Sequence, residues 1–564
     1  MNDCRHAQGP LSRGVARTSA PFVPLPRSVP ARLLMFLTFV LGVGLLQAAP
    51  ALSIRVDPAI RHQSIDGFGA SDAWRCQFVG RNWPLEKRER IADLLFSRET
   101  DAQGHPRGIG LSIWRFNLGA GTAEQGEASD IRNPWRRAEC FLNADGSYDW
   151  SKLAGQRWFL EAARRRGVER FLAFANSPPV HLTRNARGYA TKGDHSLNLR
   201  SGALADYAEY FVTVLAHFAE EGRPFAYLSP VNEPQWDWDS PGQEGTPALN
   251  EEIHELVRQL SPRLAAAGLD TQIVIGEAGT IGHAAISMAS IGQPAEGRDD
   301  QAQCFFNPAS PHYLGNLPNV AGIISAHSYH SVWPVEKQVT YRRQVHAALQ
   351  AANPRLGYWM SEYCILQRNG EIRGGGRRDL GMDTALYVAR IIHHDLTLTD
   401  ARSWQWWTAL SQVDYKDGLV YLDDGSGDGT GRMGAQVESL QHDGAIRESK
   451  LLWVLGNYSR FVRPGMVRIG CTVEPAPSPA DGLLASAYAA DDGSRVAVLV
   501  NLSREPALCD LGIESAAAVY TTSDAGNLKP GRQSGRNLTI PARAVATVCL
   551  DGGAKPSRNP GQPD

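Results

Sequence analysis

Two glutamates lie where runs of apolar residues give way to polar ones. Glu233 belongs to the segment VNEPQW at residues 231–236, and Glu362 belongs to WMSEY at residues 359–363. Two carboxyl groups that converge on one acetal carbon can hydrolyse a glycosidic bond with retention. One carboxylic acid protonates the leaving oxygen and one carboxylate attacks the anomeric carbon, and the two carboxyl groups are about 5 to 5.5 Å apart. The pair predicts glycoside hydrolysis if the fold brings the carboxyls together; a solvated loop carboxylate is the alternative for each.

Other side chains at such run ends fit the same chemistry. Arg115, in WRFNLGAG, could keep Glu362 ionised, as a nucleophile must be at neutral pH, although a structural ion pair would also explain it. Asn232 could hydrogen-bond a sugar hydroxyl beside the reaction centre. Indole rings pack on the apolar C–H faces of sugars. Candidates for that contact, some of which must be core residues, are Trp236, Trp238, Trp404, Trp406 and Trp407.

The elements that must position these residues are eight short apolar and aromatic runs. They start at Asp66, Leu111, Phe171, Ala226, Gln272, Gly322, Gly357 and Ser403. The spacing leaves room for a helix after each strand, and residues 204–218 and 253–264 carry apolar side chains at helical intervals. Eight such units predict an α/β fold, a (β/α)8 TIM barrel, with its active site at the carboxyl ends of the strands. Strands four and seven face each other, so Glu233 and Glu362 would meet.

The pattern changes at the two ends of the chain. From about Leu452 helical stripes disappear, and short β-rich runs alternate with turns rich in Asp, Gly and Ser. We therefore expect a side β-sandwich formed from both chain ends. Residues 52–65 would supply its N-terminal strand, residues 66–453 the catalytic barrel, and residues 454–550 the rest of the sandwich. Residues 551–564 lack hydrophobic side chains and are expected to be disordered.

An apolar run, LLMFLTFVLGVGLL at residues 33–46, follows Arg27 and Arg32. It predicts a signal peptide over residues 1–51 and secretion to the periplasm or the extracellular medium, with an uncleaved anchor as the alternative. A bilayer span needs about 20 apolar residues, so we expect no stable membrane span in the mature form. The formal net charge of −2, with no long basic block, argues against nucleic-acid binding. One disulfide is possible among Cys471, Cys509 and Cys549.

Three segments, in this order along the chain, resemble glycoside hydrolase family 30. They are DGFGAS at residues 66–71, the Asn-Glu-Pro run and the Ser-Glu-Tyr run. The resemblance covers about residues 52–550 and implies a barrel, a side β-sandwich and retaining chemistry. It implies that Glu233 is the acid/base and Glu362 the nucleophile. Because retaining glycoside hydrolysis needs no metal, we expect no metal site and no cofactor.

The resemblance also implies roles for further residues. His327 and Tyr329, in AHSYH, match an active-site His-x-Tyr pair, and Tyr329 could hydrogen-bond the nucleophile. A buried core histidine is the alternative for His327. Trp406 matches the position of a substrate-lining Trp. Since strand side chains alternate, Trp404 and Trp406 should share one side of their strand and Trp407 the other.

Two segments bear on the substrate. WRFNLGAG at residues 114–121 and FANSPP at residues 174–179 look closer to the endo-β-1,6-galactanase-like subgroup than to the others. Many glucosylceramide and xylan relatives carry a Trp just before their Ser-Pro pair, where this chain has Ala175 and Asn176, and this difference disfavours those two substrates. The leading hypothesis is a secreted hydrolase of β-1,6-galactan, as in arabinogalactan side chains, with a polysaccharide or oligosaccharide as its partner. The alternatives are a β-1,6-glucanase, a family 30 β-glycosidase acting on xylan or glucosylceramide, and a catalytically silent carbohydrate-binding barrel. The oligomeric state stays open.

Overall fold

The structure begins with a long strand, β1 (Leu52–Ser64), and then passes through eight parallel strands that close into a barrel. The computed structural model describes residues 51–287, 297–427, 431–513 and 517–550, so the predicted leader up to residue 50 and the predicted tail lie outside the described residues. The barrel strands are β2 (Gly67–Ser71), β3 (Ile113–Leu118), β4 (Arg170–Ala175), β5 (Tyr227–Ser229), β6 (Gln272–Ala278), β7 (Val320–His327), β8 (Gly357–Glu362) and β9 (Ala401–Trp406). Each predicted run overlaps one of them, with β4, β7 and β9 beginning one or two residues before the run, and the (β/α)8 barrel is confirmed.

Helices alternate with these strands and cover the outside of the barrel. They are α1 (Arg75–Asn82), α2 (Leu85–Phe96), α3 (Thr122–Gln125), α4 (Ala154–Arg165), α5 (Leu204–Glu220), α6 (Asn250–Ala266), α7 (Ile281–Ala285), α8 (Gln301–Phe306), α9 (Val335–Ala352), α10 (Met382–Leu398) and α11 (Lys450–Ser459). In α5 and α6 the apolar stripes seen in the sequence are buried, with only Leu204 partly exposed. Burial of one apolar face explains why these segments are helical.

The inside of the barrel changes from an apolar floor to a polar mouth. Six side chains from five of the barrel strands form the floor: Ile113, Leu172, Val274, Ala321, Ile323 and Trp359. Because side chains alternate along a strand, Arg115 lies on the same inner face of β3 as Ile113, one step closer to the carboxyl end. The polar residues described below therefore stand on a packed layer.

The remaining strands lie outside the barrel. A small sheet contains β10 (Leu410–Ser411), β11 (Val420–Asp423) and β12 (Ala445–Glu448). The others are β13 (Val467–Glu474), β14 (Leu483–Ala489), β15 (Arg495–Asn501), β16 (Ala507–Asp510), β17 (Ala517–Ser523), β18 (Gly526–Gln533), β19 (Asn537–Ile540) and β20 (Ala544–Cys549). With β1 they form nine strands in the order β18-β17-β20-β15-β14-β13-β1-β16-β19.

These nine strands fold over to enclose one core. Ile54 of β1, Leu499 of β15, Leu538 of β19 and Val548 of β20 belong to the same buried cluster although their strands are far apart in the sheet order. Strand β1 pairs antiparallel with β13 and parallel with β16. The side β-sandwich formed from both chain ends is therefore confirmed.

Two sequence expectations, a domain boundary and a possible disulfide, concern this end of the molecule. The boundary expected between residues 453 and 454 falls inside helix α11. The disulfide that the sequence left possible among Cys471, Cys509 and Cys549 is not formed in the part of the chain that the structure describes. Cys471 and Cys509 flank β1 on opposite sides, opposite Val56 and Leu52, so a strand separates them.

Within the described ranges, we find no helix with the length and apolar character that a membrane span requires.

Candidate active site

The two glutamates reach the barrel mouth by different backbone routes. Glu362 is the last residue of β8, whereas Glu233 lies in the loop after β5 with a φ of 47°. Positive φ is uncommon for residues other than glycine and needs support from its surroundings. The backbone N–H of Glu233 donates to the carbonyl of Glu277 at 2.8 Å, and its own carbonyl accepts from the indole of Trp238 at 3.0 Å.

The two carboxyl groups converge. One oxygen of Glu233, one oxygen of Glu362 and a ring nitrogen of His327 all lie within 4.8 Å of one another. The exposed fractions of Glu233 and Glu362 are 7% and 5%, so both groups are largely shielded from bulk water. The strands predicted to bring these side chains together do so.

Arg115 lies at the centre of the polar cluster. Its guanidinium donates to Glu362 Oε2, to Asn232 Oδ1 at 2.8 Å and to Glu277 Oε2 at 2.7 Å. Its Cζ lies 3.8 Å from the centroid of the Phe174 ring, a cation–π contact. Arg115 and Asn232, which the sequence predicts as site residues, are therefore both in the cluster, and Arg115 faces Glu362 as expected.

His327 joins three carboxylates. Its Nδ1 lies 2.7 Å from Glu233 Oε1 and 3.6 Å from Glu362 Oε1, and its Nε2 lies 3.1 Å from Glu277 Oε2. Burial works against a charged imidazole, but the nearby carboxylates outweigh it and raise the pKa of His327 to about 10. With a carboxylate at each ring nitrogen, His327 is a doubly protonated donor and not an isolated core histidine.

Glu277 is a member of the cluster that the sequence reasoning missed. It is fully buried, and although burial opposes its ionisation, Arg115 and His327 lower its pKa to about 2. Glu277 is thus an anion that contacts both cations of the cluster, Arg115 and His327. The sequence position of Glu277 could have identified it, because it lies next to the carboxyl end of the fifth barrel strand. Glu233 likewise lies shortly after the fourth.

Tyr329 contacts the second glutamate as predicted. Its hydroxyl donates to Glu362 Oε1 at 3.0 Å, and its side chain is buried. Burial, reinforced by nearby acidic groups, raises the pKa of Tyr329 well above its usual value, so the phenol keeps its proton. Glu362 therefore receives a hydrogen bond at each carboxylate oxygen, one from Arg115 and one from Tyr329.

Glu233 has a different electrostatic environment. Burial and the charge of Glu362 raise the pKa of Glu233, even though His327 and Arg115 act in the opposite direction. Glu362 accepts from a guanidinium and a hydroxyl, whereas Glu233 has one cationic neighbour in direct contact. A carboxyl group with a raised pKa is suited to donating a proton, and Glu233 has this shift.

Distance alone would allow Glu233, His327 and Glu362 to surround a metal ion. Both ring nitrogens of His327 already face carboxylate oxygens, however, Nδ1 that of Glu233 and Nε2 that of Glu277, and a ring nitrogen that carries a proton cannot ligate. Arg115 adds a second positive charge beside Glu362. The cluster suits proton transfer and nucleophilic attack better than cation binding.

The two predicted tryptophans occupy different environments. The Trp236 ring is 37% exposed at the mouth, near the rings of His283 and His330. Trp406 is 1% exposed, and its indole N–H donates to the carbonyl of Asp417 at 2.9 Å. The Trp406 ring therefore has no exposed face on which a sugar could pack, whereas the Trp236 ring has one.

The tryptophan that faces the cluster is the first residue after β9. Trp404 and Trp406 stack on the outer side of the wall, where the Trp404 indole donates to Asp395 of α10 at 3.0 Å. Half-buried Trp407 lies on the other side, with its ring 5.9 Å from the Arg115 guanidinium carbon. The alternation expected from the sequence holds, and it places Trp407 rather than Trp406 beside the candidate site.

A parallel eight-stranded barrel with two converging carboxyls at its mouth and a side β-sandwich defines a class of protein, the barrel glycoside hydrolases. Residues 51–421 match the model for O-glycosyl hydrolase family 30, and residues 465–548 match that for the glycosyl hydrolase family 30 beta sandwich domain. The chain therefore belongs to glycoside hydrolase family 30.

Several relatives are similar to this chain. The crystal structure of a conserved exported protein from Bacteroides fragilis is 39% identical, covers 88% of this chain and 99% of that chain, and has a TM-score of 0.81. An endo-β-1,6-galactanase from Hypocrea rufa is 26% identical over 40% of this chain and 50% of that protein, so the match spans half of the galactanase. The catalytic domain of a family 30 xylanase C from Talaromyces cellulolyticus shares the fold, with 22% identity, coverage of 88% and 99%, and a TM-score of 0.63.

Proposed function

We propose that this protein is a secreted, retaining endo-β-1,6-galactanase in which Glu362 is the nucleophile and Glu233 the general acid/base. The observation that carries the proposal is the spacing of the two glutamates, whose nearer oxygens lie within 4.8 Å of each other. A retaining pair is about 5 to 5.5 Å apart, whereas an inverting pair needs roughly 6.5 to 9.5 Å to admit a water molecule. The spacing therefore favours a double displacement.

In the first step, Glu362 attacks the anomeric carbon while Glu233 protonates the glycosidic oxygen that leaves. Arg115 and Tyr329 hold the Glu362 carboxylate in place. The raised pKa of Glu233 keeps its proton available. The bond to the leaving oxygen breaks as the bond to Glu362 forms, which yields a glycosyl ester.

In the second step, water replaces Glu362 on the sugar. Ester formation removes the negative charge of Glu362, one of the causes that raise the pKa of Glu233. The His327 cation, which contacts Glu233 at 2.7 Å, continues to favour the Glu233 carboxylate. Glu233 can then take a proton from water, whose oxygen attacks the anomeric carbon and releases Glu362.

The likeness to the Hypocrea rufa endo-β-1,6-galactanase supports galactan as the polymer, and the likeness to an exported Bacteroides protein supports secretion. The predicted leader agrees with secretion. The test is a reducing-end assay on β-1,6-galactan, β-1,6-glucan and xylan, followed by proton NMR of the first product. We expect cleavage of galactan with the β-anomer formed first. Cleavage of another polymer alone would contradict the substrate, and an α-anomer would contradict the mechanism.

Glutamine substitutions test the assigned roles. Glu362→Gln should abolish turnover of every substrate, since no nucleophile remains. Glu233→Gln should lower kcat for the polymer by about 10²- to 10⁴-fold with little change in KM, because protonation of a poor leaving group is lost. Glu86→Gln, an exposed position on α2, is the matched control and should match the wild type.

A catalytically silent binding barrel is the non-enzyme alternative. It predicts retained galactan binding by isothermal calorimetry, with no reducing ends from any polymer in the panel. If the wild-type protein cleaves a polymer and Glu362→Gln does not, the silent binding barrel is eliminated. Turnover that survives in Glu362→Gln would instead contradict Glu362 as the nucleophile.

A further inference from the structure

The hydroxyl of Tyr329 has two polar neighbours. Glu362 Oε1 lies 3.0 Å from the hydroxyl oxygen, and the thiol sulfur of Cys364 lies 3.8 Å from it on another side. Cys364 is 1% exposed, and Tyr329 and Glu362 are 5% exposed. Among the described residues Tyr329 is the one polar partner of the Cys364 side chain. The three groups form a short series of contacts that is largely shielded from bulk water.

The number of hydrogens on each group decides which group donates and which accepts. A phenol has one hydrogen to donate, and a carboxylate is a far better acceptor than a thiol sulfur. The Tyr329 hydrogen therefore points to Glu362. Burial raises the pKa of Cys364 well above its usual value, so the thiol keeps its own hydrogen, and the Tyr329 oxygen is its available acceptor.

We propose that Cys364 is a positioning residue whose S–H donates to the Tyr329 oxygen and thereby orients the Tyr329 hydroxyl toward Glu362. The inference rests on the proposed role of Glu362 as nucleophile. Cys364 lies two residues after Glu362, the last residue of β8, while Tyr329 comes from the segment after β7. The segment that continues from the nucleophile thus also supplies the group that holds the nucleophile's hydrogen-bond donor.

A buried cysteine often acts as a small hydrophobic residue, and the molecule contains a control for that behaviour. Cys140 is also buried, and its sulfur lies 3.7 Å from the hydroxyl oxygen of Tyr210. This second thiol–phenol contact involves neither candidate glutamate. Cys140→Ala therefore removes the same kind of contact from a place where it should not affect catalysis.

The test is a double-mutant cycle measured on whichever polymer the wild-type enzyme cleaves. Cys364→Ala should lower kcat about twofold to tenfold with KM nearly unchanged, as expected for one hydrogen bond. Cys364→Ser keeps a donor and should retain more activity than Cys364→Ala. In the Tyr329→Phe background, Cys364→Ala should cause no further loss, because the thiol acts through Tyr329. Cys140→Ala should match the wild type.

Equal losses of kcat in both backgrounds would overturn the proposal, since the thiol would then act through packing alone. An unchanged kcat in Cys364→Ala would also overturn it. Infrared difference spectra against Cys364→Ala test the contact without turnover, because the S–H stretching band of Cys364 should shift when Tyr329 becomes Phe. If the band shifts but Glu362→Gln remains active, the contact between Cys364 and Tyr329 exists and the assignment of Glu362 as the nucleophile is wrong. If the band does not shift, the hydrogen bond from Cys364 to Tyr329 does not exist and the proposal fails.

Discussion

At the scale of single residues, the position of the exposed indole at the barrel mouth depends on a glycine. A Cβ added at Gly279 would lie 2.4 Å from Trp236 Nε1 and 2.8 Å from its Cε2, far inside van der Waals contact. The Trp236 ring thus rests directly on the Gly279 backbone. Trp236 follows the candidate acid Glu233 by three residues, and the backbone N–H of Trp236 donates to the Glu233 carbonyl at 3.1 Å. An exposed indole in this position could stack on a sugar bound at the barrel mouth.

We expect Gly279→Ala to displace Trp236 and to raise KM for the polymer about twofold to tenfold while kcat changes little, since ground-state contact is what the ring supplies. Initial-rate kinetics over a range of polymer concentrations measure both constants. Gly242→Ala is the control, because an added Cβ there has no heavy atom within 4 Å. An unchanged KM in Gly279→Ala would mean that the Trp236 ring does not contact substrate.

At the scale of elements, helix α11 connects the barrel to the sandwich. The Asn457 amide donates to the Tyr520 carbonyl of β17 at 2.9 Å and to the Thr547 hydroxyl of β20 at 3.1 Å. Two residues later, the Ser459 hydroxyl donates to the Ile109 carbonyl, before barrel strand β3, at 2.6 Å. One helix thus satisfies buried polar groups of both substructures, and this explains why a boundary drawn through it divides a packed unit.

Asn457→Ala should lower the free energy of unfolding by about 1 to 3 kcal/mol, because it leaves buried partners on β17 and β20 without their donor. Urea denaturation followed by tryptophan fluorescence measures the loss. Asn537→Ala, at an exposed position of β19, should change stability much less. Equal losses in the two variants would show that the Asn457 contacts contribute nothing specific.

Helix α10 carries two adjacent buried histidines and packs against sandwich strands β14, β15 and β20. Burial lowers the pKa of His393 from 6.5 to about 3, and burial with the neighbouring His393 lowers that of His394 to about 2. The unfolded chain therefore binds protons first. The stability that comes from keeping these rings neutral is complete above pH 6.5 and is lost as pH falls toward 3.

For His393 alone, this linkage predicts a loss of about 2 kcal/mol between pH 7 and pH 5. His393→Gln should lose correspondingly less stability over that range, as measured by urea denaturation at the two pH values. His442→Gln, at an exposed position, should keep the wild-type pH dependence. A parallel loss in His393→Gln and wild type would contradict the assigned burial effect.

The elements also show how far the sequence alone could predict the site. All eight barrel strands and the meeting of Glu233 with Glu362 follow from apolar runs and barrel geometry. In a parallel barrel, however, both faces of each strand are buried, so the hydrophobic pattern does not tell which face points inward. The choice between Trp406 and Trp407 could therefore not be made from alternation.

Glu277 was hidden for a related reason. On β6, Val274 faces the barrel floor, while Ile273 and Ile275 pack on the outer side. Strict alternation would then point Glu277 outward. Positive φ angles at Gly276 and Glu277, together with a register irregularity against β7, turn this side chain into the mouth.

At the scale of the whole molecule, the N-terminal strand lies inside the sheet order rather than at its edge. Ser53 pairs with Glu474 and Ser64 with Val467 on β13, while Leu52 pairs with Cys509 on β16. The strand thus fills the gap between two C-terminal strands. Removing it would leave two rows of backbone donors and acceptors without partners and would open the sandwich core at Ile54.

A variant that lacks residues 1–64 should therefore give little soluble protein and no cooperative thermal transition. A variant that lacks only residues 1–50 keeps β1 and serves as the matched control. Soluble yield and circular dichroism during heating measure the difference. Equal melting temperatures for the two variants would show that β1 is dispensable for the fold.

The pairing of β1 with strands from the far end of the chain also sets an order of events during biosynthesis. Strand β1 cannot form its pairings until β13 and β16 have been synthesised, and these follow the whole barrel in the chain. Contacts between such distant segments form slowly, and an unpaired strand invites association with other chains. If the chain is exported, a protective interaction with a chaperone would be needed most at its first strand.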